Sequence, residues 1–197
     1  MNTAARLLFV SALLMVPGAA LAHPPFAGVD GFSAGLLHPF FVPAHVLAIF
    51  ATGLMVAQQT QRWHWLLRYA FVAGLALGFV TIASAYAPTQ ADVVLLMLAL
   101  VGGGLVALAK PLPPLFSGLL AAAIGGAIAL DSPPDAMTVR AAIETQLGTF
   151  CGAAVFLYAV SEAASRLKYD WQHIGVRILG SWIAASAILV LALQFAR

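Results

Sequence analysis

The sequence predicts an all-α protein, a polytopic membrane helix bundle with six transmembrane helices after an N-terminal signal peptide. Hydrophobic residues make up 62% of the 197 residues and charged residues only 8%, whereas a soluble domain carries about a quarter charged residues. The apolar runs are long enough to cross a bilayer, and only short polar, charged or proline-bearing segments separate them. The composition excludes a water-soluble domain. It also offers no basic patch for nucleic acid, and the single cysteine excludes a disulfide framework.

Residues 1–22 have the pattern of a signal peptide. Arg6 supplies a short positive region, "LLFVSALLMV" follows as the apolar region, and "ALA" at residues 20–22 fits a cleavage site. The alternative is an uncleaved signal anchor, but this apolar run is short for a span. Cleavage after Ala22 would leave His23 at the mature N-terminus and a single transmembrane domain over residues 23–197.

Six apolar stretches follow the signal peptide. The predicted spans are residues 36–57, 63–86, 91–109, 112–130, 139–163 and 173–195. Each is close to the 17 to 25 residues that a transmembrane helix needs. The segments between them, among them "APTQAD" and "DSPPDAM", are too short to hold a separate domain.

Basic residues predict the orientation of the spans, because cytoplasmic loops are enriched in Lys and Arg. In the six-span arrangement most of them fall on one side: Arg62, Arg68, Lys110, Arg166, Lys168 and Arg177. The other side has Arg140 and Arg197, together with three aspartates. We therefore expect a bacterial inner-membrane protein whose mature N-terminus and C-terminus are both periplasmic, as the signal peptide independently requires.

Two histidines mark the first span, in the stretch "HPFFVPAH" at residues 38–45. His38 and His45 are two helical turns apart and share a helix face, but a regular helix would hold them about 10 Å apart. Pro39 and Pro43 disturb that helix, since a proline lacks the N–H that the backbone ladder needs. Irregular backbone within a membrane is tolerated where it lines a cavity. The stretch could thus place both imidazoles around an outward-facing vestibule.

Glu144 enters span five from the same side, at a depth close to that of His45. An imidazole and a carboxylate together suit nickel, cobalt, zinc or copper, and ionisable groups within spans mark functional sites. The alternative is that His45 donates a hydrogen bond to a carbonyl group and Glu144 lies protonated at the rim. His23, if cleavage exposes it, would add an amine and an imidazole that can chelate copper. Haem ligation would need a further deep histidine on another span, and none is present.

This pattern resembles the HupE/UreJ family, whose members are regarded as nickel or cobalt permeases associated with nickel enzymes. The resemblance rests on the signal peptide ending "ALAH", the first span "GFSAGLLHPFFVPAHVLAIFATGLMVAQ" and six spans overall. In the family's first-span motif, HPxxGxDH, His38, Pro39 and His45 match. The motif glycine is Val42 here and the motif aspartate is Ala44. The family's second, histidine-rich motif is absent from the corresponding stretch "LLAAAIGGAIAL".

The resemblance implies a secondary transporter, a permease for a divalent transition metal such as nickel or cobalt, with the metal as substrate and no tightly bound cofactor. The metal-ligand candidates are His38 and His45, joined by Glu144 and His23. The alternative is a non-transporting accessory protein that binds metal or a partner on the periplasmic face for metalloenzyme assembly. The scarcity of polar groups in the cytoplasmic half of the spans favours that alternative. An enzyme is not expected, because the sequence offers no nucleophile–base pair.

Overall fold

The computed structural model describes residues 31–83, 90–110, 112–133 and 138–196. These residues form seven α-helices and no strand, and a short 3-10 turn, Gln61–Trp63, precedes the third helix. The helices are α1 (Gly31–Phe41), α2 (Pro43–Gln58), α3 (His64–Ala83), α4 (Ala91–Leu108), α5 (Pro114–Leu130), α6 (Val139–Ser165) and α7 (Asp170–Phe195). The predicted all-α class is therefore confirmed for the described part of the chain.

Four of the described helices are long and apolar enough to cross a membrane: α3 with its preceding turn, α4, α6 and α7. Helices α1 and α2 are bent by 70° at their junction and count as a fifth span only if the bent pair is taken as one. Helix α5 is apolar but has only 17 residues. The chain is thus a multi-pass membrane protein with four or five candidate spans. The predicted six spans are not confirmed, and the signal peptide of residues 1–22 lies outside the described residues.

Helix α2 lies at the centre of the bundle. Its buried side chains run almost without interruption from Ala48 to Val56, and its main neighbours are α4 and α6. A helix buried around most of its circumference must be apolar on nearly every side, as the sequence "VLAIFATGLMV" is. The central helix carries His45 near its first turn, so the fold places this imidazole inside the protein rather than against lipid.

The other six helices form three closely packed pairs, α1 with α6, α3 with α5, and α4 with α7. Glycines make each close approach. A Cβ atom added to Gly148 of α6 would overlap the carbonyl oxygen of Phe32, and one added to Gly125 of α5 would overlap that of Phe71. One added to Gly180 of α7 would lie 2.8 Å from a carbonyl oxygen of α4. Small residues allow such backbone contact in lipid, where packing rather than water exclusion holds helices together.

The bundle has two chemically different ends. At the histidine end α2 begins, α5 stops and α6 begins; at the basic end α2, α4 and α6 stop and α7 begins. Exposed basic side chains cluster at the basic end: Arg62, Lys110, Arg166, Lys168 and Arg177. This distribution agrees with the grouping of positive residues predicted from the sequence.

A buried arginine crosses between two helices near the basic end. Arg68 of α3 is 7% exposed and donates from Nε to Ser161 Oγ (2.9 Å) and from Nη2 to Glu162 Oε2 (3.1 Å). Its guanidinium carbon lies 4.6 Å from the ring centroid of Tyr158. The half of the bundle that the sequence suggested to be poor in polar groups therefore contains a buried, fully engaged charge.

Arg68→Lys is expected to lower the stability of the purified protein by about 2 kcal/mol, because an ammonium group loses the stacking on Tyr158 and the fixed fork of donors. Thermal unfolding in detergent measures the change. Arg62→Lys is the matched control, since exposed Arg62 lies over the Trp63 ring at 5.2 Å and should shift the midpoint little. Equal shifts in the two variants would contradict a specific role for Arg68.

Candidate metal site

The break between α1 and α2 follows directly from the two prolines. Pro43 has no N–H to donate to the carbonyl of Pro39, so the helical ladder stops there. Val42, the residue before Pro43, has extended backbone angles (φ −83°, ψ 114°), as the steric demand of a following proline favours. Pro43 then starts α2 at a position where its missing N–H costs nothing. The predicted disturbance at the prolines is confirmed as a 70° bend.

The bend brings the two imidazoles together. The ring centroids of His38 and His45 are 5.0 Å apart, and the rings meet edge to face at an interplanar angle of 73°. A straight helix would have kept these side chains two turns apart, about 10 Å along the axis. The separation of a regular helix therefore does not apply to this segment, and the prolines bring the two rings together.

Asp131 provides a carboxylate partner for His45. Asp131 follows the last residue of α5, and its Oδ2 lies 3.0 Å from His45 Nε2. The His45 side chain is fully buried, while the Asp131 side chain is 17% exposed. A carboxylate in its charged form only accepts hydrogen bonds. A contact with a charged Asp131 therefore requires the tautomer of His45 that has its proton on Nε2, and this N–H donates the hydrogen bond.

The contact leaves the other nitrogen of His45 chemically available. A neutral imidazole with a proton on Nε2 has a free lone pair on Nδ1. His45 Nδ1 is buried and has no hydrogen-bond partner among the residues that the structure describes, and the same holds for Nε2 of His38. Buried polar atoms without a partner are rare and costly. Two of them on neighbouring rings point to a ligand that accepts electron pairs, such as a metal ion.

Glu144 does not join this pair. The structure places Glu144 on the surface of α6, where its Oε1 accepts a hydrogen bond from Arg140 Nε at 2.8 Å. The carboxylate partner of His45 is Asp131 and not Glu144, so the suggested direct contact between His45 and Glu144 is not formed. Glu144 instead approaches the start of α1, since a Cβ added to Gly31 would lie 2.9 Å from its Oε2. His23 lies outside the described residues.

The two imidazoles form an open site rather than a closed ligand cage. Within residues 31–83, 90–110, 112–133 and 138–196, no three His, Cys, Asp or Glu side chains are grouped so as to surround a metal ion together. His38 and His45 supply two nitrogen donors, with Asp131 behind one of them. This arrangement matches a common feature of metal sites, in which a ligating histidine donates its other N–H to a carboxylate.

A family comparison agrees with this geometry. Residues 11–190 match the model of the family described as HupE / UreJ protein. The chain belongs to the HupE/UreJ family. Comparison of this HupE/UreJ protein with curated proteins and with solved structures finds no match.

Asp131 is one of the three aspartates on the predicted periplasmic side of this HupE/UreJ protein, and the sequence did not predict it as a site residue. Two signals were present. Asp131 follows an apolar helix directly, and it falls on the same side of the predicted membrane as the two histidines. Asp131 is the carboxylate next to the histidines in this chain. The first-span motif of the chain has Ala44 in the place of the motif aspartate.

Proposed function

We propose that this HupE/UreJ protein binds a divalent transition metal such as nickel or cobalt at His38 and His45 and passes it across the bacterial inner membrane as a permease. The observation that supports this proposal most is a pair of buried nitrogens, His38 Nε2 and His45 Nδ1, on rings 5.0 Å apart; neither has a hydrogen-bond partner in the described part of the chain. Imidazole nitrogen is a favoured ligand for nickel, cobalt, copper and zinc. In this proposal the metal is the substrate and not a resident cofactor.

Asp131 has a defined part in the proposal. By accepting a hydrogen bond from Nε2–H of His45, Asp131 would hold the ring in one orientation and one tautomer, and its negative charge would make Nδ1 a stronger electron-pair donor to a cation. Two nitrogen ligands leave the remaining coordination positions to water or to transient ligands. Such incomplete coordination suits a transported ion, which has to leave its site again.

The charge distribution supports a direction. The basic end, with its exposed Lys and Arg side chains, would face the cytoplasm, and the histidine end would face the periplasm along with both termini. A metal ion would then enter from the periplasm. The buried Arg68 cluster shows that polar chemistry is not confined to the histidine end, which removes part of the sequence-based argument for a non-transporting protein.

The test is metal titration of the purified protein with nickel, cobalt, copper and zinc, comparing the wild type with the double variant His38→Ala/His45→Ala. We expect one ion per wild-type chain and loss of that binding in the double variant. Glu144→Ala is the matched control: it removes a carboxylate near the start of α1 that does not contact the histidine pair. Equal binding by the wild type and the double variant would overturn the metal assignment.

The accessory function is the second candidate, and one observation favours it. On the central helix, the residues that follow His45 toward the basic end are fully buried; Ala48, Ile49 and Thr52 each have 0% exposure. A metal ion moving from the histidine pair along this helix would meet packed side chains. Uptake of nickel into liposomes that contain the purified protein separates the two candidates, because a protein that only holds the metal binds it without filling the vesicle.

A further inference from the structure

A cavity of about 320 Å³ opens at the basic end, away from the histidine pair. It lies where α2, α4 and α6 stop and α7 begins, and its polar lining comes from Gln58, His173 and Arg177. The rest of its wall is apolar and includes Ala109, Ala164 and the buried Val176. The cavity therefore combines a basic mouth with an apolar interior surface.

The two basic side chains at the mouth have donors to spare. Arg177 uses Nε to donate to the carbonyl oxygen of Ala107 at 3.1 Å, and within the described segments its two terminal amino groups have no protein partner. His173 lies one helical turn before Arg177 on α7, and its imidazole likewise makes no hydrogen bond to the described residues. Both side chains can turn toward an anion without breaking an existing contact.

Two carboxylates lie near this mouth among the described residues, Glu162 and Asp170. Glu162 accepts hydrogen bonds from Arg68 and from Arg166, so its charge is already engaged. Asp170 belongs to the first turn of α7, where the helix dipole favours a negative charge. Lys110 directly follows Ala109 of the cavity wall, and Lys168 precedes α7. Among the described residues around the cavity, the cations Arg177, Lys110 and Lys168 therefore outnumber Asp170, the acidic side chain that forms no ion pair with them.

The position of the cavity indicates which kind of anion would reach it. Tyr169 and Trp171, next to the start of α7, are 64% and 70% exposed, and exposed amphipathic rings of this kind lie at the headgroup level of a bilayer. Basic pockets between helices at that level bind the headgroups of anionic lipids. We propose that the cavity at Gln58, His173 and Arg177 binds the phosphate headgroup of an anionic phospholipid, with the apolar wall in contact with its glycerol and upper acyl carbons.

The test uses the full-length protein in neutral detergent, with native mass spectrometry after addition of phosphatidylglycerol or phosphatidylcholine. We expect one phosphatidylglycerol to be retained in preference to phosphatidylcholine. Arg177→Gln should weaken that binding about tenfold, as loss of a charge-assisted contact to phosphate predicts. Arg140→Gln, which removes a positive charge at the histidine end, is the matched control and should leave lipid binding unchanged.

His173→Gln is a second variant, in case Arg177→Gln fails to fold. His173 makes no hydrogen bond to described protein groups, so its replacement should weaken lipid binding without lowering the stability of the protein. A weakening in both variants supports the proposal. Equal weakening in Arg140→Gln would show nonspecific charge attraction and overturn it. Binding of glycerol phosphate as tight as that of phosphatidylglycerol would also overturn it, since the site would then be one for free phosphate. None of these outcomes depends on metal binding at the histidine pair.

Discussion

Asp131→Leu is expected to lower the affinity for nickel or cobalt by about 10-fold to 100-fold, the range measured when the carboxylate behind a metal-ligating histidine is removed. In the structure Asp131 Oδ2 lies 3.0 Å from Nε2 of fully buried His45, where it can accept a hydrogen bond from Nε2–H. Without this acceptor the proton is free to move to Nδ1, and the lone pair that faces the ligand is lost in that tautomer. Isothermal titration of the purified variant with nickel measures the change.

Asp131→Asn separates two effects of Asp131 on metal binding, its acceptance of a hydrogen bond from His45 and its negative charge. The amide oxygen of asparagine can still accept a hydrogen bond from Nε2–H, so the tautomer of His45 is kept although the negative charge is gone. We therefore expect a smaller loss of nickel affinity than in the leucine variant. Asp92→Asn is the control, because Asp92 pairs with Gln194 at 2.8 Å instead. The tautomer itself can be read from the ¹⁵N shifts of the His45 ring in metal-free protein. A wild-type ring protonated on Nδ1 would contradict the proposed role of Asp131.

Local features of the fold were predictable from the sequence because each depends on a few neighbouring residues. The apolar runs predict membrane helices, since only a helix satisfies its own backbone in lipid. Pro39 and Pro43 predict a disturbed helix between the two histidines, since each proline removes a donor. The structure contains both the helices and the bend. What the prolines could not fix is the bend angle of 70°, which depends on how α1 and α2 pack against α6.

The partner of His45 was not predictable in the same way. Asp131 is 86 residues away in the chain, and its approach depends on how α5 packs against α3 and where α5 stops. Glu144 seemed the better partner because its depth along α6 matched that of His45. Depth, however, does not fix the direction of a side chain around its helix. Glu144 points toward Arg140, four residues earlier on the same surface, where an ion pair of opposite charges forms at helical spacing.

Helix α1 owes its position to glycines of α6, so the site should respond to a change that touches neither histidine. Gly148→Ala is expected to displace α1, because the added methyl group would overlap the carbonyl oxygen of Phe32 and lie 2.7 Å from the nitrogen of Leu36. Both are backbone atoms and cannot rotate away. Overpacking of this kind costs about 1 to 3 kcal/mol. Since α1 carries His38, we expect nickel affinity to fall together with the melting temperature.

Gly104→Ala provides the opposite case within the same bundle. A Cβ added to Gly104 of α4 meets no atom within 4 Å, and alanine favours a helix over glycine by about 1 kcal/mol. This variant should therefore melt at the same temperature as the wild type or higher and bind nickel equally well. Thermal unfolding and nickel titration of the two variants test whether the packing of α1 against α6 positions His38. If Gly148→Ala loses stability but keeps full nickel affinity, the packing of α1 against α6 does not position His38; if it loses neither, the close contact itself is refuted.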